Sequence, residues 1–100
     1  MRGRPRIRRA PACPTWCVVV HRGDRMEQLE GLRLHNSTDH GITTTHGPVH
    51  VEAVRTDDLT AGRRGRVGVY VRVEDDLSVD DACRLAAALL NAVDTLRGAS

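Results

Sequence analysis

The chain has 100 residues, of which 40% are hydrophobic and 28% are charged, and its formal net charge is +2. This length accommodates one domain and excludes a multidomain enzyme. No apolar run approaches the roughly 20 residues that span a bilayer, so we expect no membrane partner. Trp16 and Tyr70 are the only aromatic residues. The core must therefore be built from aliphatic side chains, which bury less area than aromatic rings do.

Residues 1–12 are expected to form a disordered, arginine-rich tail. They contain five arginines and no acid, which gives +5, whereas the remaining residues have ten arginines against thirteen acids, which gives −3. Gly3, Pro5 and Pro11 disfavour regular structure. Such a tail can contact phosphates weakly, but no aromatic side chain is interleaved with the arginines for base stacking. A solvated leader is therefore favoured over nucleic-acid binding.

The start of the chain lacks the pattern of a secretory signal, because its apolar stretch at residues 18–20 is shorter than the roughly 7 to 15 residues required. We therefore expect a cytoplasmic protein, in which thiols stay reduced and closely spaced cysteines bind metal more often than they form disulfides. The odd number of cysteines, three, also argues against a disulfide framework.

Cys13, Cys17 and His21 place two thiols and an imidazole within nine residues. Pro14 favours a tight turn that directs both sulfurs to one point, and Zn²⁺ accepts a tetrahedral set of thiolates and imidazoles. The spacing predicts a zinc site that contains these three ligands and one distant histidine, either His46 or His35.

Two other interpretations of this region remain open. Cys13, Cys17, His35 and His40 imitate the ligand order of zinc fingers, although the 17 residues between Cys17 and His35 exceed the usual spacing of about 12. In the other interpretation no metal binds, and the histidines are exposed polar residues of a loop. His50 fits this second interpretation because strand alternation directs it away from the apolar face.

Residues 22–46 have the weakest pattern. Met26, Leu29 and Leu32 predict a short helix interrupted at Gly31. Residues 35–45 are polar and predict a loop, and residues 18–21 are a candidate for a short third strand. A stretch with so little apolar content needs another source of stability.

The second half of the chain predicts a hairpin and a helix. Alternating valines at residues 66–74 and 48–55 indicate two half-buried strands joined by a polar loop. Ser78 is a candidate N-cap, and apolar residues at helical spacing follow it through Leu96. The predicted fold class is α+β, with an antiparallel sheet of two or three strands packed against a C-terminal amphipathic helix. One domain is expected at residues 13–97, followed by a disordered end at 98–100.

Three segments resemble a group of small, uncharacterised actinobacterial proteins. They are the Cys-Pro-x-Trp-Cys motif at Cys13 to Cys17 with its following His21, the His46-Gly47-Pro48 sequence before a Val-rich strand, and the acidic-capped, Ala/Leu-rich helix from Ser78. The resemblance implies a compact domain with a Cys/His site and implies no activity. It favours His46 over His35, so the resulting set of metal ligands is Cys13, Cys17, His21 and His46.

The sequence favours a zinc-stapled binding or regulatory module with an unknown protein partner and an undetermined oligomeric state. The alternatives are a thiol redox protein that uses Cys13 and Cys17, and weak nucleic-acid binding through the tail. An enzyme is less favoured, because residues 62–65 lack the spacing and the lysine of a phosphate-binding loop. The paired acids at 57–58, 75–76 and 80–81 are typical of turns and helix caps.

Overall fold

The computed structural model describes residues 10–21 and 25–98. Most of the predicted tail and residues 99–100 lie outside these ranges. The elements are α1 (Arg25–Glu30), β1 (Leu32–Asn36), β2 (Ile42–Thr44), β3 (Gly47–Asp58), β4 (Val67–Arg72) and α2 (Val79–Gly98). The predicted α+β class, with an antiparallel sheet and a C-terminal helix, is confirmed. Neither helix of the described residues is long and apolar enough to cross a bilayer.

β3 is the central strand of the antiparallel sheet. Its residue Val54 lies opposite Asn36 of β1 and also opposite Gly68 of β4. β1 and β4 therefore lie on opposite edges of β3. β2 pairs with the beginning of β3, where Ile42 lies opposite Val49. The predicted hairpin between the two valine-rich strands is confirmed as the β3–β4 pair.

β1 and β2 are two parts of one interrupted edge. Between them, the amide of Ser37 donates to the carbonyl of Ala53 at 2.9 Å, and the amide of His40 donates to the carbonyl of Val51 at 2.8 Å. These bonds keep the intervening residues alongside β3. The sheet therefore has four strands, whereas the sequence predicted two or three.

The predicted loop at residues 35–45 is wrong in part, because residues 35–36 belong to β1 and residues 42–44 form β2, while residues 37–41 form no strand. The candidate strand at residues 18–21 is wrong. The loop region contributes to β1 and β2, while residues 18–21 form no strand. The physical reason is that β1 has inverted polarity: Leu32 and Leu34 are 44% and 52% exposed, whereas His35 is fully buried. A sequence that places a histidine on the buried face and leucines on the exposed face lacks the pattern that predicts a half-buried strand.

The predicted short helix and its interruption at Gly31 are confirmed, but Leu32, which the prediction grouped with this helix, begins β1. α1 ends at Gly31, which has φ 66° and whose amide donates to the carbonyl of Glu27 at 2.8 Å. A residue in the left-handed region favours glycine, because a side chain there is strained. Gly31 also accepts a hydrogen bond from the Leu59 amide at 2.7 Å, which fixes the start of β1 beside the end of β3.

α2 covers one half of the sheet. Ser78 caps it by accepting a hydrogen bond from the Asp81 amide at 3.1 Å, as the sequence predicted. The buried core beneath the helix consists of Val51, Ala88 and Ala92. Half-buried aliphatic side chains surround it: Ile42, Val69, Leu85 and Leu89.

The buried face of β3 is divided into an apolar half and a polar half. Val49, Val51 and Ala53 lie under α2, and the same alternation continues into Arg55 and Asp57, which are also buried. Ionised side chains are rarely buried unless they are paired. The polar half therefore requires partners that the helix does not provide.

We predict that Val51→Ala lowers the free energy of unfolding by about 2 kcal/mol, because the fully buried valine loses two methyl groups and leaves a cavity. Val79→Ala is the matched control, since Val79 is 81% exposed and its substitution should change stability by less than about 0.5 kcal/mol. Urea unfolding of both variants measures the difference. Equal stability of the two variants would contradict the assigned core.

Candidate metal centre

The polar half of the buried face is organised around the carboxylate of Asp57. Oδ1 accepts from Nε of Arg55 at 2.8 Å and from the Gly65 amide at 2.9 Å. Oδ2 accepts from Nη2 of Arg55 at 2.7 Å and from Nε2 of His35 at 2.7 Å. Burial alone would raise the pKa of Asp57, but these hydrogen bonds outweigh it and lower the pKa. Asp57 is therefore an ionised, fully paired acceptor.

Strand pairing brings these groups together. His35 of β1 lies directly opposite Arg55 of β3, so both side chains lie on the same face of the sheet. Asp57 follows Arg55 by two residues and shares that face. The sheet thus presents a buried imidazole whose Nε2 is already hydrogen-bonded and whose Nδ1 points elsewhere.

Nδ1 of His35 faces a group of three further metal-ligating side chains. It lies 3.6 Å from Sγ of Cys13 and 3.2 Å from Nε2 of His21, and Sγ of Cys17 lies 3.5 Å from Nε2 of His21. One ligand atom from each of these four residues lies within 4.8 Å of the others. Four convergent sulfur and nitrogen atoms are the donor set of a tetrahedral structural zinc site.

The N-terminal segment is attached to the sheet on both sides of its cysteines. Nη2 of Arg55 donates to the carbonyl of Ala12 at 2.8 Å, and the amide of Val18 donates to the carbonyl of Asn36 at 2.9 Å. Between these points, the amide of Cys17 closes a turn onto the carbonyl of Pro14 at 3.1 Å. The turn predicted from Pro14 is present and directs both sulfurs toward His35.

His21 has a carboxylate partner that matches the one of His35. Nδ1 of His21 lies 3.2 Å from Oε1 of Glu27. Arg33 binds the same carboxylate through Nε and Nη2, both at 3.1 Å. Each histidine therefore directs one nitrogen at the centre of the group and the other at a carboxylate that is paired with an arginine. This carboxylate–histidine arrangement is the usual second layer of a metal site, where it fixes the tautomer of the ligand.

The tautomers leave two lone pairs face to face. A neutral imidazole has one N–H, and the carboxylate partners assign that proton to the ring nitrogen that faces Glu27 in His21 and Asp57 in His35. The nitrogens that face each other at 3.2 Å are then both acceptors. Burial lowers the pKa of His35 and outweighs the opposing effect of Asp57, which favours the neutral ring. A cation between the two lone pairs relieves their repulsion.

The thiol of Cys13 has an altered acidity as well. Burial raises its pKa, the neighbouring Cys17 adds to the rise, and the charges of Arg55 and Arg33 oppose it. A metal ligand must be a thiolate, and coordination displaces the proton. This thiol is therefore expected to deprotonate on binding a metal and to remain protonated near neutral pH without one.

Three of the four predicted ligands lie together, and the fourth lies elsewhere. Cys13, Cys17 and His21 belong to the group, and the sequence alternative His35 completes it. His46 is exposed in the β2–β3 turn and lies 3.4 Å from Asp75. The preference for His46 came from the resemblance, and the turn that carries His46 does not bring it into this group.

The other histidines and the third cysteine are not in this group. Nε2 of His40 lies 3.5 Å from Oγ1 of Thr95. Nδ1 of His50 lies 2.6 Å from Asp39 at the surface. Cys83 is exposed on α2. The zinc-finger alternative with His40 as a ligand is therefore not favoured by these positions.

Sequence reasoning missed the carboxylates and arginines that hold the histidines. Asp57 was assigned to a turn together with Asp58, yet only Asp58 acts there: its Oδ1 accepts from the amides of Thr60 and Ala61. The signal that could have found Asp57 is the alternation of β3, because continuing it past Ala53 places Arg55 and Asp57 on the buried face. No comparable pattern marks Glu27 on α1.

We predict that Asp57→Asn lowers the free energy of unfolding by about 3 kcal/mol, because it leaves the Arg55 guanidinium buried without a counter-charge. Asp75→Asn is the matched control, since its ion pair with His46 is exposed and contributes less than about 1 kcal/mol. Urea unfolding at neutral pH measures both. A loss for Asp57→Asn no larger than that of the control would contradict the role given to this carboxylate.

Comparison with known proteins assigns the chain to a family. No characterised protein and no solved structure has significant similarity to the chain. A family model described as Domain of unknown function (DUF6907) matches residues 2–100. Because that match covers nearly the whole chain, the protein belongs to the DUF6907 family.

Proposed function

We propose that Cys13, Cys17, His21 and His35 bind one structural Zn²⁺ and that the protein is a zinc-stapled binding or regulatory module. The observation that carries the proposal is the double carboxylate support. Each of the two histidines directs one nitrogen at the group of four donors and the other at Asp57 or Glu27. The exposed His46 and His50 also contact carboxylates, but in the group of four donors the carboxylate partner is combined with a second ring nitrogen that faces other sulfur and nitrogen atoms, which is the arrangement of a metal ligand.

The donor set favours zinc over other common metals. Two thiolates and two imidazoles suit the borderline-soft Zn²⁺ in a tetrahedral shell, whereas Mg²⁺ and Ca²⁺ prefer oxygen ligands. Four protein ligands leave no open position for water or substrate, so the role is structural. Two thiolates also balance the two charges of Zn²⁺, so this partly buried site has no net charge.

The expected stabilisation is large for a domain of this size. Structural zinc contributes an apparent binding free energy on the order of 10 kcal/mol, and the whole stability of a typical domain is roughly 5 to 15 kcal/mol. The core under α2 contains only small and aliphatic side chains. The metal would therefore hold the N-terminal segment and α1 to the sheet, where apolar packing does not.

The spacing of the two cysteines argues for the staple over the thiol redox alternative. Cys13-x3-Cys17 differs from the two-residue spacing of common redox motifs. Both thiols also lie within 4.8 Å of two imidazole nitrogens, which are the further ligands that a zinc site requires.

We predict that protein purified without a histidine tag contains close to 1 zinc per chain, as a single four-ligand site requires. Inductively coupled plasma mass spectrometry measures the content. Replacement of zinc by Co²⁺ should give the visible absorption of a tetrahedral ion and a thiolate charge-transfer band in the near ultraviolet. A content below about 0.2 zinc per chain, with no cobalt spectrum, would count against the proposal.

Paired variants identify the ligands. We predict that Cys17→Ser and His35→Asn lose the metal and most of the cooperative unfolding transition, because three ligands bind zinc far more weakly than four. Cys83→Ser and His46→Asn are the matched controls, since both side chains lie outside the group. Metal content and urea unfolding are measured on all four.

The same variants separate the competing assignments. Loss of zinc in His46→Asn together with its retention in His35→Asn would overturn the ligand set. A disulfide between Cys13 and Cys17 in metal-free protein, detected by mass spectrometry, would instead support the thiol redox alternative.

A further inference from the structure

A cavity of about 310 Å³ lies beside the Cys13–Cys17 turn, between this turn, the β3–β4 loop and the end of α2. Its volume is at the lower end of the range of roughly 300 to 1,000 Å³ found for small-molecule sites. One wall is apolar and is formed by Trp16, Val67 and Leu96. Thr15 and Arg64 supply polar groups at the same cavity.

The charge of the cavity is positive. Two arginines and no carboxylate of the described residues line it. The guanidinium of Arg55 is neutralised by Asp57, so its charge is not available to a ligand. Arg64 is exposed and forms no ion pair with another residue in the described part of the chain. Its charge is the one that a ligand would meet.

The surroundings reinforce this charge. Arg63 and Arg66 flank Arg64 in the β3–β4 loop, and both are exposed. Asp58, the acidic residue nearest to these arginines in the sequence, accepts hydrogen bonds from the Thr60 hydroxyl and the Ala61 amide. A zinc ion with two thiolates and two neutral imidazoles adds no net charge, so the adjacent site would not repel an anion.

We propose that this cavity binds a small aromatic anion. The aromatic ring packs against the indole of Trp16 and the aliphatic side chains of Val67 and Leu96, and the anionic group pairs with Arg64. The hydroxyl of Thr15 is a second donor for the anion. This site adjoins the metal centre, since Cys13 lines the cavity and also belongs to the ligand group, and it gives the module a ligand.

Both parts of the ligand follow from the lining. Offset stacking on an indole and burial against aliphatic groups favour a flat ring over a flexible chain. A guanidinium presents several N–H donors in one plane, which matches a carboxylate, sulfonate or phosphate oxygen pair. A neutral ring of the same size lacks the second interaction and should bind more weakly.

The chain provides its own reporter for the test, because Trp16 is its only tryptophan. The probe is 4-nitrobenzoate, whose nitroaromatic ring quenches tryptophan fluorescence on contact, and the neutral comparison is 4-nitrobenzamide. We expect saturable quenching by the benzoate with an unchanged fluorescence lifetime, and at least fivefold weaker binding of the benzamide. Phenyl phosphate has no nitro group, so it is added as a competitor: recovery of the fluorescence quenched by 4-nitrobenzoate supports one shared anion site, and no recovery at a large excess counts against it.

Two loop variants give the matched control. Arg64→Gln should weaken binding of 4-nitrobenzoate at least fivefold. Arg63→Gln removes the same charge from the same loop, but Arg63 does not line the cavity and pairs through its backbone with Asp58. It should change the dissociation constant less than twofold. Equal effects of the two variants, equal binding of the benzamide, or quenching that does not saturate would overturn the proposal.

The result of the ligand titration can be told apart from the result of the zinc measurement when metal content is measured on the same samples. Saturable binding by protein that contains no zinc would support the cavity and count against the staple. A full complement of zinc without saturable quenching would do the reverse. Because Arg64 contacts no metal ligand in the hydrogen-bond network, Arg64→Gln should retain its zinc.

Discussion

The fold depends on a buried carboxylate that has to be fully paired. Asp57 has no solvent exposure, and an ionised carboxylate removed from water is stable only when hydrogen bonds and opposite charge replace its hydration. Two donors meet each of its oxygens, which fills the roughly four lone-pair positions of a carboxylate. Those donors come from β1, from β3 itself and from the β3–β4 loop. One side chain therefore sets the relative positions of three segments.

The arginine that balances this charge extends the same constraint to the N-terminal segment. Arg55 bonds both oxygens of Asp57 and still donates to the carbonyl of Ala12. Glu27, which supports His21, lies on a helix of six residues, whereas Asp57, which supports His35, lies on a strand. Isolated helices of that length are marginal in water. The support from Asp57 is held by four hydrogen bonds within the sheet and its loop, whereas the contacts of Glu27 on α1 are with the side chains of Arg33 and His21.

The parts of this fold that could be predicted from the sequence are those whose buried face is apolar. α2 and the β3–β4 hairpin have regular apolar spacing, and their positions were correct within a few residues. β1 could not be found in this way, because its inward side chains are Arg33 and His35 and its leucines face outward. The three clustered ligands Cys13, Cys17 and His21 were visible from spacing alone. The partner from β1 depends on strand register, which local sequence does not encode.

The two halves of the buried face of β3 are stabilised by different interactions, in a chain that has one tryptophan and no phenylalanine. Under α2, stabilisation comes from aliphatic burial around Val51. Beyond Ala53, burial of Arg55 and Asp57 would be unfavourable unless their donors and acceptors were held in position. The proposed metal ion at the Cys/His group would hold the histidine that completes this network, and would so stabilise the half that apolar packing does not support. Trp16 and Leu96 line the same cavity, where the N-terminal turn meets the end of α2. The backbone of β3 therefore joins the polar and apolar halves, and the cavity lies between the N-terminal turn and the end of α2.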